Sequence, residues 1–344
     1  MQSTNSQTVL ASLNAGLHLA LSQDPCVFLI GEDLLDPYGG AFKVSRGLST
    51  AFPERVITSP ISEASITGIA AGMALRGLRP VVEIMFGDFV LLIADQIVNH
   101  LSKFRYMYAD QLNCPMVIRT PMGGRRGYGP THSQTLEKHF LGVPGLRVVA
   151  PFNAPDSDSI GSPGRLLSNL ILNTCDPVLF IENKLQYLLP LELSSIWKIK
   201  NESDGNFSPF YRIVINGAPN AVLTMTAYGY MAHLAMEAQH FLAFEDEIFT
   251  DLLVPTQLSP IELSPLITSV QKTGRLLTIE EGGYTLGWGA EVVARVVTTI
   301  GKGIICAERI AAADHPVPAS LILEDAALPS VTDIVKMVRR MVEK

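Results

Sequence analysis

Short apolar runs separated by helix-spaced segments constrain this chain more than any other feature. VFLI (27–30), PMVIRTP (115–121), LRVVAP (146–151) and PVLFIEN (177–183) are strand-like runs, and Pro80 to Met85 supplies another. A strand covered on one face alternates apolar and polar residues, whereas a strand buried on both faces reads as a nearly continuous apolar run. Between the runs lie segments of helical spacing. Val9, Leu13, Leu17 and Ala20 share one face of a helix that ends near Asp24-Pro25. Ala64 to Leu75 predicts a helix rich in small residues. Gly87 to Tyr106 predicts one long helix with Val90, Ile93, Ala94, Ile97 and Leu101 facing inward, and a further helix is expected over about 156–173. This alternation implies an α/β fold, a doubly wound and mostly parallel sheet covered on both faces.

A second α/β series follows. AVLTMTAYG (221–229), EIFTDLLVP (247–255), RLLTIEEGG (275–283) and IICAERIA (304–311) predict strands. Tyr230 to Leu242, Ser264 to Thr273, about Gly289 to Thr299 and Ser330 to Glu343 predict helices. From Lys184 to about Asn220 the pattern weakens into polar, Gly, Pro and Ser clusters, which suits a crossing between domains. The expected division is a first domain over 1–190, a linker over 191–219 and a smaller second doubly wound domain over 220–344.

Composition narrows the partners. Of the 344 residues 47% are hydrophobic and 17% charged, an apolar balance that suits buried parallel strands or a face covered by another subunit. No apolar run reaches the roughly 20 residues that span a bilayer, so no membrane partner is expected. MQSTNSQTVL lacks the marks of a secretory signal or an arginine-rich transit peptide, and a cytoplasmic home is the expectation. With a net charge of −7 and no basic block, nucleic acid is a poor partner. Cys26, Cys114, Cys175 and Cys306 show no CxxC pairing and read as small buried hydrophobes. The seven histidines show no HxxxH or HExxH spacing, which argues against a protein-built zinc site.

Chemistry concentrates after the strands. GEDLLDPYGGAFKVSRGL follows VFLI, where acidic groups and glycines stand just beyond a strand's carboxyl end. The stretch from Ser59 to Arg105 opens with Glu63 at a helix entrance, and local pattern alone favours a capping role for it. MGGRRGYGPTHSQ follows PMVIRTP, and its glycines let backbone approach a ligand closely or let the loop move.

These motifs together resemble the β subunit of 2-oxo acid dehydrogenase E1 components, of the pyruvate, branched-chain and acetoin dehydrogenase type. GEDLLDPYGGAFKVSRGL, SPISEASITGIAAGMALRGLRPVVEIMFGDF, DQIVN with KFRY, and THSQTLEKHFLGVPGLRVVAP carry the resemblance in the first half. KTGRLLTIEEGGYTLGWGAEVVARV and the late ALPSVTDIV carry it in the second. The resemblance implies a thiamine-diphosphate enzyme of the transketolase type, with a pyrimidine-binding first domain and a transketolase C-terminal domain. It implies an α2β2 heterotetramer with an E1 α subunit, a 2-oxo acid substrate and a lipoyl-bearing E2. The diphosphate and Mg2+ site, marked by GDG, belongs to the α subunit; GDF at 87–89 is the nearest string here.

By the same resemblance Glu63 matches the catalytic glutamate, which hydrogen-bonds N1′ of the aminopyrimidine and favours its imino tautomer. A carboxyl sharing a proton near neutral pH needs an apolar site, which ITGIAAGMAL can supply. Phe89 matches the aromatic that stacks on the pyrimidine, and Met85 a position lining that pocket. His132 matches an active-site histidine that helps with the intermediate and its transfer to a lipoyl group. Arg125 and Arg126 are candidates for the substrate carboxylate, for partner contacts or for solvent. Asn173, Asp176 and Asn183 fall where some relatives bind a structural K+.

Two departures from the family pattern bear on partners: Gly161, Pro163 and Gly164 interrupt one helix, and the linker around 194–210 is polar and irregular. Two further readings stay open. One is a thiamine-dependent acyl or two-carbon transferase of a biosynthetic pathway with no lipoyl partner. The other is a non-catalytic structural subunit, against which the joint presence of Glu63, Phe89 and His132 counts.

Overall fold

The computed structural model describes residues 7–154, 162–203 and 208–343. The chain divides into two compact units, residues 1–122 with 139–192, and residues 123–138 with 193–344.

In the first unit the expected strands form as β1 (Val27–Gly31), β2 (Val56–Thr58), β3 (Arg79–Glu83), β4 (Val117–Met122), β5 (Arg147–Val149) and β6 (Val178–Asn183). They lie in the order β5-β6-β4-β3-β1-β2 and every pair among them is parallel. The order reverses at β1: β2 pairs on one side of it and β3 on the other. Ligands of open parallel sheets sit at such a reversal, outside the carboxyl ends of the strands.

Helix α1 (Val9–Gln23) buries Val9, Leu13, Leu17 and Ala20 as its spacing requires. Two short helices, α2 (Leu48–Ala51) and α4 (Phe104–Met107), flank the longer α3 (Glu63–Leu75). α5 (Ser162–Asn173) packs along α1, and residues 156–161 of the expected helix lie outside the described residues. Pro163 and Gly164 stand in the first turn of α5, where a proline costs no hydrogen bond. Gly164 donates its N–H to Ser12 Oγ at 2.9 Å, and a Cβ on Gly16 would come 2.3 Å from the Gly164 carbonyl oxygen. The two glycines therefore set how closely the helices approach.

The single long helix expected over 87–106 is broken. Gly87–Ile93 winds as 3-10 helix, Gln96–Leu101 as π helix, and α4 ends the stretch. Val90, Ile93, Ile97 and Leu101 are buried as anticipated. Their spacings of three and four residues tolerate tighter and wider windings alike, so the apolar pattern does not report the break.

In the second unit the strands are β7 (Trp197–Asn201), β8 (Phe210–Ile215), β9 (Leu223–Ala227), β10 (Thr250–Pro255), short β11 (Gln257–Ser259), β12 (Arg275–Gly283) and β13 (Cys306–Ala312). The helices are α6 (Gly229–Glu245), α7 (Ser264–Thr273), α8 (Trp288–Ile300), α9 (Leu321–Ala327) and α10 (Val331–Val342). The sheet order is β13-β12-β9-β10-β8-β7, parallel from β13 to β10 and antiparallel at β8 and β7.

Two expectations about the division are corrected here. The stretch assigned to a linker contains β7 and β8, an edge hairpin of the second sheet. The sequence hides it because an edge strand such as WKIKN keeps mostly exposed polar residues. The glycine-rich loop 123–138, expected with the first domain, packs in the second unit, where its backbone finds its hydrogen-bond partners.

Candidate active site

Within the first unit, Glu32, Glu63 and the segment Met85–Phe89 follow β1, β2 and β3, three adjacent parallel strands, at their carboxyl ends. Glu63 is the first residue of α3 and is 8% exposed. It does not cap that helix. The N–H of Ser62 goes to Glu32 Oε1 at 3.2 Å, and Ser62 Oγ donates to Ser65 Oγ at 2.8 Å. The Glu63 carboxylate has no hydrogen-bond partner among the described residues. Burial raises the Glu32 pKa above its ordinary value, and the neighbouring Glu63 charge raises it further.

Aromatic rings gather at the same strand ends. Phe86 and Phe89 meet edge to face at 5.9 Å, and Phe42, from the loop after β1, meets Phe86 at 5.4 Å. Met85 and Phe89 are half-buried, so each keeps surface for a ligand. Gly87 permits this turn, since a Cβ there would come 2.2 Å from Met122 Cγ. Asp88, the acid of the GDF string, faces Lys184, whose Nζ stands 3.9 Å from Asp88 Oδ2 and 5.2 Å from the centre of the Phe86 ring.

Beneath the strand ends a buried ionic network crosses the sheet. Arg119 on β4 lies directly opposite Glu83 on β3 and bonds to it. Its other edge meets Glu182 on β6 at 2.8 Å through Nε and 2.6 Å through Nη2. Ser45 donates to Glu83 at 2.6 Å and Tyr187 to Glu182 at 2.5 Å. Burial raises the Glu83 pKa, and Arg119 works against that rise. Sequence reasoning missed Glu32 and this network. The acidic residue after VFLI was a usable signal for Glu32, whereas Glu83, Arg119 and Glu182 sat unmarked inside runs that read as strands.

The loop residues Arg125, Arg126 and His132 lie in the second unit. His132 is half-buried on the loop 123–138, with Nδ1 3.0 Å from Thr131 Oγ1. Arg125 adopts a left-handed backbone at φ 62°, donates Nη2 to the Pro329 carbonyl and stands 3.9 Å from Asp325. Arg126 is exposed, with its guanidinium 5.9 Å from the Tyr128 ring centre.

The expected cation ligands do not converge. Asp176 precedes β6 and binds Arg105 at 2.9 Å and Arg147 at 3.2 Å, while Asn183 closes β6 and accepts the Leu185 N–H at 2.9 Å. An extended strand separates them by roughly 20 Å. Asn173 ends α5. Among the described residues no group of three or more His, Cys, Asp or Glu side chains is placed to hold a metal, and no helix is long and apolar enough to cross a membrane.

A buried carboxylate with no hydrogen-bond partner among the described residues and a group of aromatic rings stand at the carboxyl ends of adjacent parallel strands, where open sheets bind ligands. The sequence comparisons give the family. The transketolase pyrimidine-binding domain matches residues 6–188 and the transketolase C-terminal domain residues 216–334. The chain is 38% identical over 336 residues to the mitochondrial pyruvate dehydrogenase E1 component subunit beta-2 of Oryza sativa subsp. japonica, spanning 97% of this chain and 85% of that one. It is 32% identical over 336 residues to the pyruvate dehydrogenase E1 component subunit beta of Rickettsia bellii, spanning 97% and 98%. A solved split-gene transketolase, described as an inactive β4 tetramer, shares the fold with a TM-score of 0.73 over 96% of this chain and 97% of its own, at 19% identity. With both domains matched in order and such identity over nearly its whole length, the chain belongs to the family of pyruvate dehydrogenase E1 component β subunits.

Proposed function

We propose that the chain is the β subunit of a thiamine-diphosphate-dependent E1 that decarboxylates a 2-oxo acid and passes the acyl group to the lipoamide of an E2 partner. The observation that carries this reading is the buried Glu63 carboxylate, released from capping by Glu32 and left without a partner among the described residues. Glu63 is the group that hydrogen-bonds N1′ of the aminopyrimidine, with Glu32, whose own pKa is raised by burial and by the Glu63 charge, at the neighbouring strand end. Phe89 stacks against the pyrimidine and Met85 lines its pocket. Bound thiamine diphosphate supplies the electron sink that decarboxylation needs. His132 assists acyl transfer from its loop. Arg126 remains the candidate for the substrate carboxylate, since the Arg125 guanidinium already serves the Pro329 carbonyl. Mg2+ is held with the diphosphate on the α subunit. A cytoplasmic setting is part of the same reading.

The first unit also supports a partner chain. On the first unit Ile61 is 80% exposed, Ile69 59%, Leu92 58% and Tyr106 89%. Apolar surface of this extent suits coverage by an α subunit in an α2β2 assembly.

The test is reconstitution. The purified chain should show no turnover by itself. Mixed with a GDG-bearing α subunit, thiamine diphosphate and Mg2+, it should decarboxylate a 2-oxo acid and acylate lipoamide. Decarboxylation by the chain alone would falsify the division of labour. Product formed with another acceptor and never with lipoamide would replace this reading by that of a biosynthetic transferase.

A further inference from the structure

The loop that carries His132 is held by carboxylates of its own unit. Near its start, Gly124 donates its N–H to Glu281 Oε1 at 2.6 Å. One step on, Arg125 and Gly127 donate theirs to the two oxygens of Glu324, at 2.8 Å and 2.9 Å. Glu324 lies on α9 and is fully buried. Alternate N–H groups converging around a left-handed residue, here Arg125 at φ 62°, form a backbone concavity that binds anions. In this chain a side chain fills it. Gly124 lets the loop come so close: a Cβ there would stand 2.6 Å from Leu328 Cδ1 and 3.1 Å from Glu324 Oε1. The end of the loop is also tied. Tyr228 donates to Glu137 at 2.6 Å, and Lys138 Nζ donates to the Thr285 carbonyl at 2.9 Å. His132 stands between these two attachments.

A buried carboxylate is costly unless its lone pairs are taken, and hydrogen bonds from N–H groups to an anion are stronger than neutral ones. Glu324 thus gains from holding the loop in one conformation, and the loop loses its alternatives. We propose that Glu324 is a positioning residue for His132, fixing the entry side of the loop and so the place of the imidazole during acyl transfer. This rests on the role given to His132 above.

The test uses the reconstituted α/β holoenzyme with two readouts, acyl transfer to lipoamide and decarboxylation with a small-molecule oxidant as acceptor. Glu324→Gln keeps the side-chain size but turns an NH2 group toward one of the two backbone donors. Transfer should fall about tenfold or more, the scale of a lost hydrogen bond to a charged group, while oxidant-coupled decarboxylation holds. Glu324→Asp should recover part of the loss. His132→Ala should lose acyl transfer at least as strongly, and in transfer the double variant should be no worse than His132→Ala alone. Additive losses, or equal losses in both half-reactions, overturn the positioning role. A loss in His132→Ala with none in Glu324→Gln overturns it too, and leaves the role of His132 standing. No loss in His132→Ala overturns both. If Glu324→Gln does not assemble, hydrogen exchange on the unaltered holoenzyme decides. Arg125 and Gly127 amides protected at least about tenfold over exposed loop amides support the clamp; exchange at the rate of exposed amides overturns it.

Discussion

Glu32 Oε1 accepts the backbone N–H of Ser62 at 3.2 Å, so the carboxylate serving the start of α3 comes from the far end of β1 and leaves Glu63, the next residue along, without capping work. Glu63 nevertheless does not turn to solvent: it is 8% exposed.

Removing the acid at position 63 should stop the chemistry and spare the fold. Glu63→Gln in the reconstituted complex should lower turnover by about a hundredfold or more, the usual scale for a positioned acid–base group. Its thermal unfolding should match that of the parent, because no hydrogen bond of the described residues is lost. Turnover at the parent rate would remove Glu63 from the mechanism.

The buried network across β3, β4 and β6 makes the opposite prediction. Arg119→Met leaves Glu83 and Glu182 facing each other without a cation. Breaking a buried ion pair from one side costs about 3–5 kcal/mol. Chemical denaturation should show that loss in the isolated chain, with no thiamine diphosphate present. A cost near zero would mean that the two carboxylates take up protons freely.

Glu280 sets a pH dependence of stability. It is fully buried, and burial, with the Glu137 charge adding to it, pushes its pKa from 4.5 up to about 7, against the pull of the Gly289 N–H and Arg309. The native state therefore holds a proton that the unfolded chain has already released. The stabilisation is complete below about pH 4.5 and is lost as pH rises through about 7. The loss is on the order of 3 kcal/mol. Glu280→Gln should flatten this fall in unfolding free energy between pH 5 and about 8, measured by denaturant titration. An unchanged slope would assign the proton to another group.

Helix packing gives a fourth test. Gly16→Ala puts a methyl group 2.3 Å from the Gly164 carbonyl, a distance that no side-chain rotation relieves. α1 and α5 must separate, at about 1–3 kcal/mol for an overpacked contact. Gly68→Ala on α3, where a Cβ meets nothing within 4 Å, is the control and should be neutral or slightly stabilising in thermal unfolding.

Much of this fold was legible before any coordinates. α7 and β12 run over the residues that the sequence pattern outlines, because their ends carry Pro265, Gly274 and Gly283 and their interiors keep one apolar rhythm. The pattern failed where apolar spacing and winding part company, between Gly87 and Met107, and where an edge hairpin keeps a polar face, at β7 and β8. Glu63, Phe89 and His132 are candidates through the family resemblance of their motifs. Asn173, Asp176 and Asn183 are cation candidates by the same resemblance, and β6 carries Asp176 and Asn183 apart.

What the sequence determines by itself is local. It sets which segments bury both faces of a strand, which turn at glycine and proline, and which strings carry the family's chemistry, since each depends on neighbours within one or two turns of chain. Tertiary structure alone decides which partner each buried charge receives. Ser62 finds its acceptor 30 residues back, Arg119 its anions 36 and 63 residues away, and Arg125 its carboxylate 199 residues on. A buried polar group takes whatever complement the fold brings within about 3 Å, and sequence separation places no limit on that choice. The Ser62 N–H goes to Glu32 and not to the adjacent Glu63, a choice that only the fold makes.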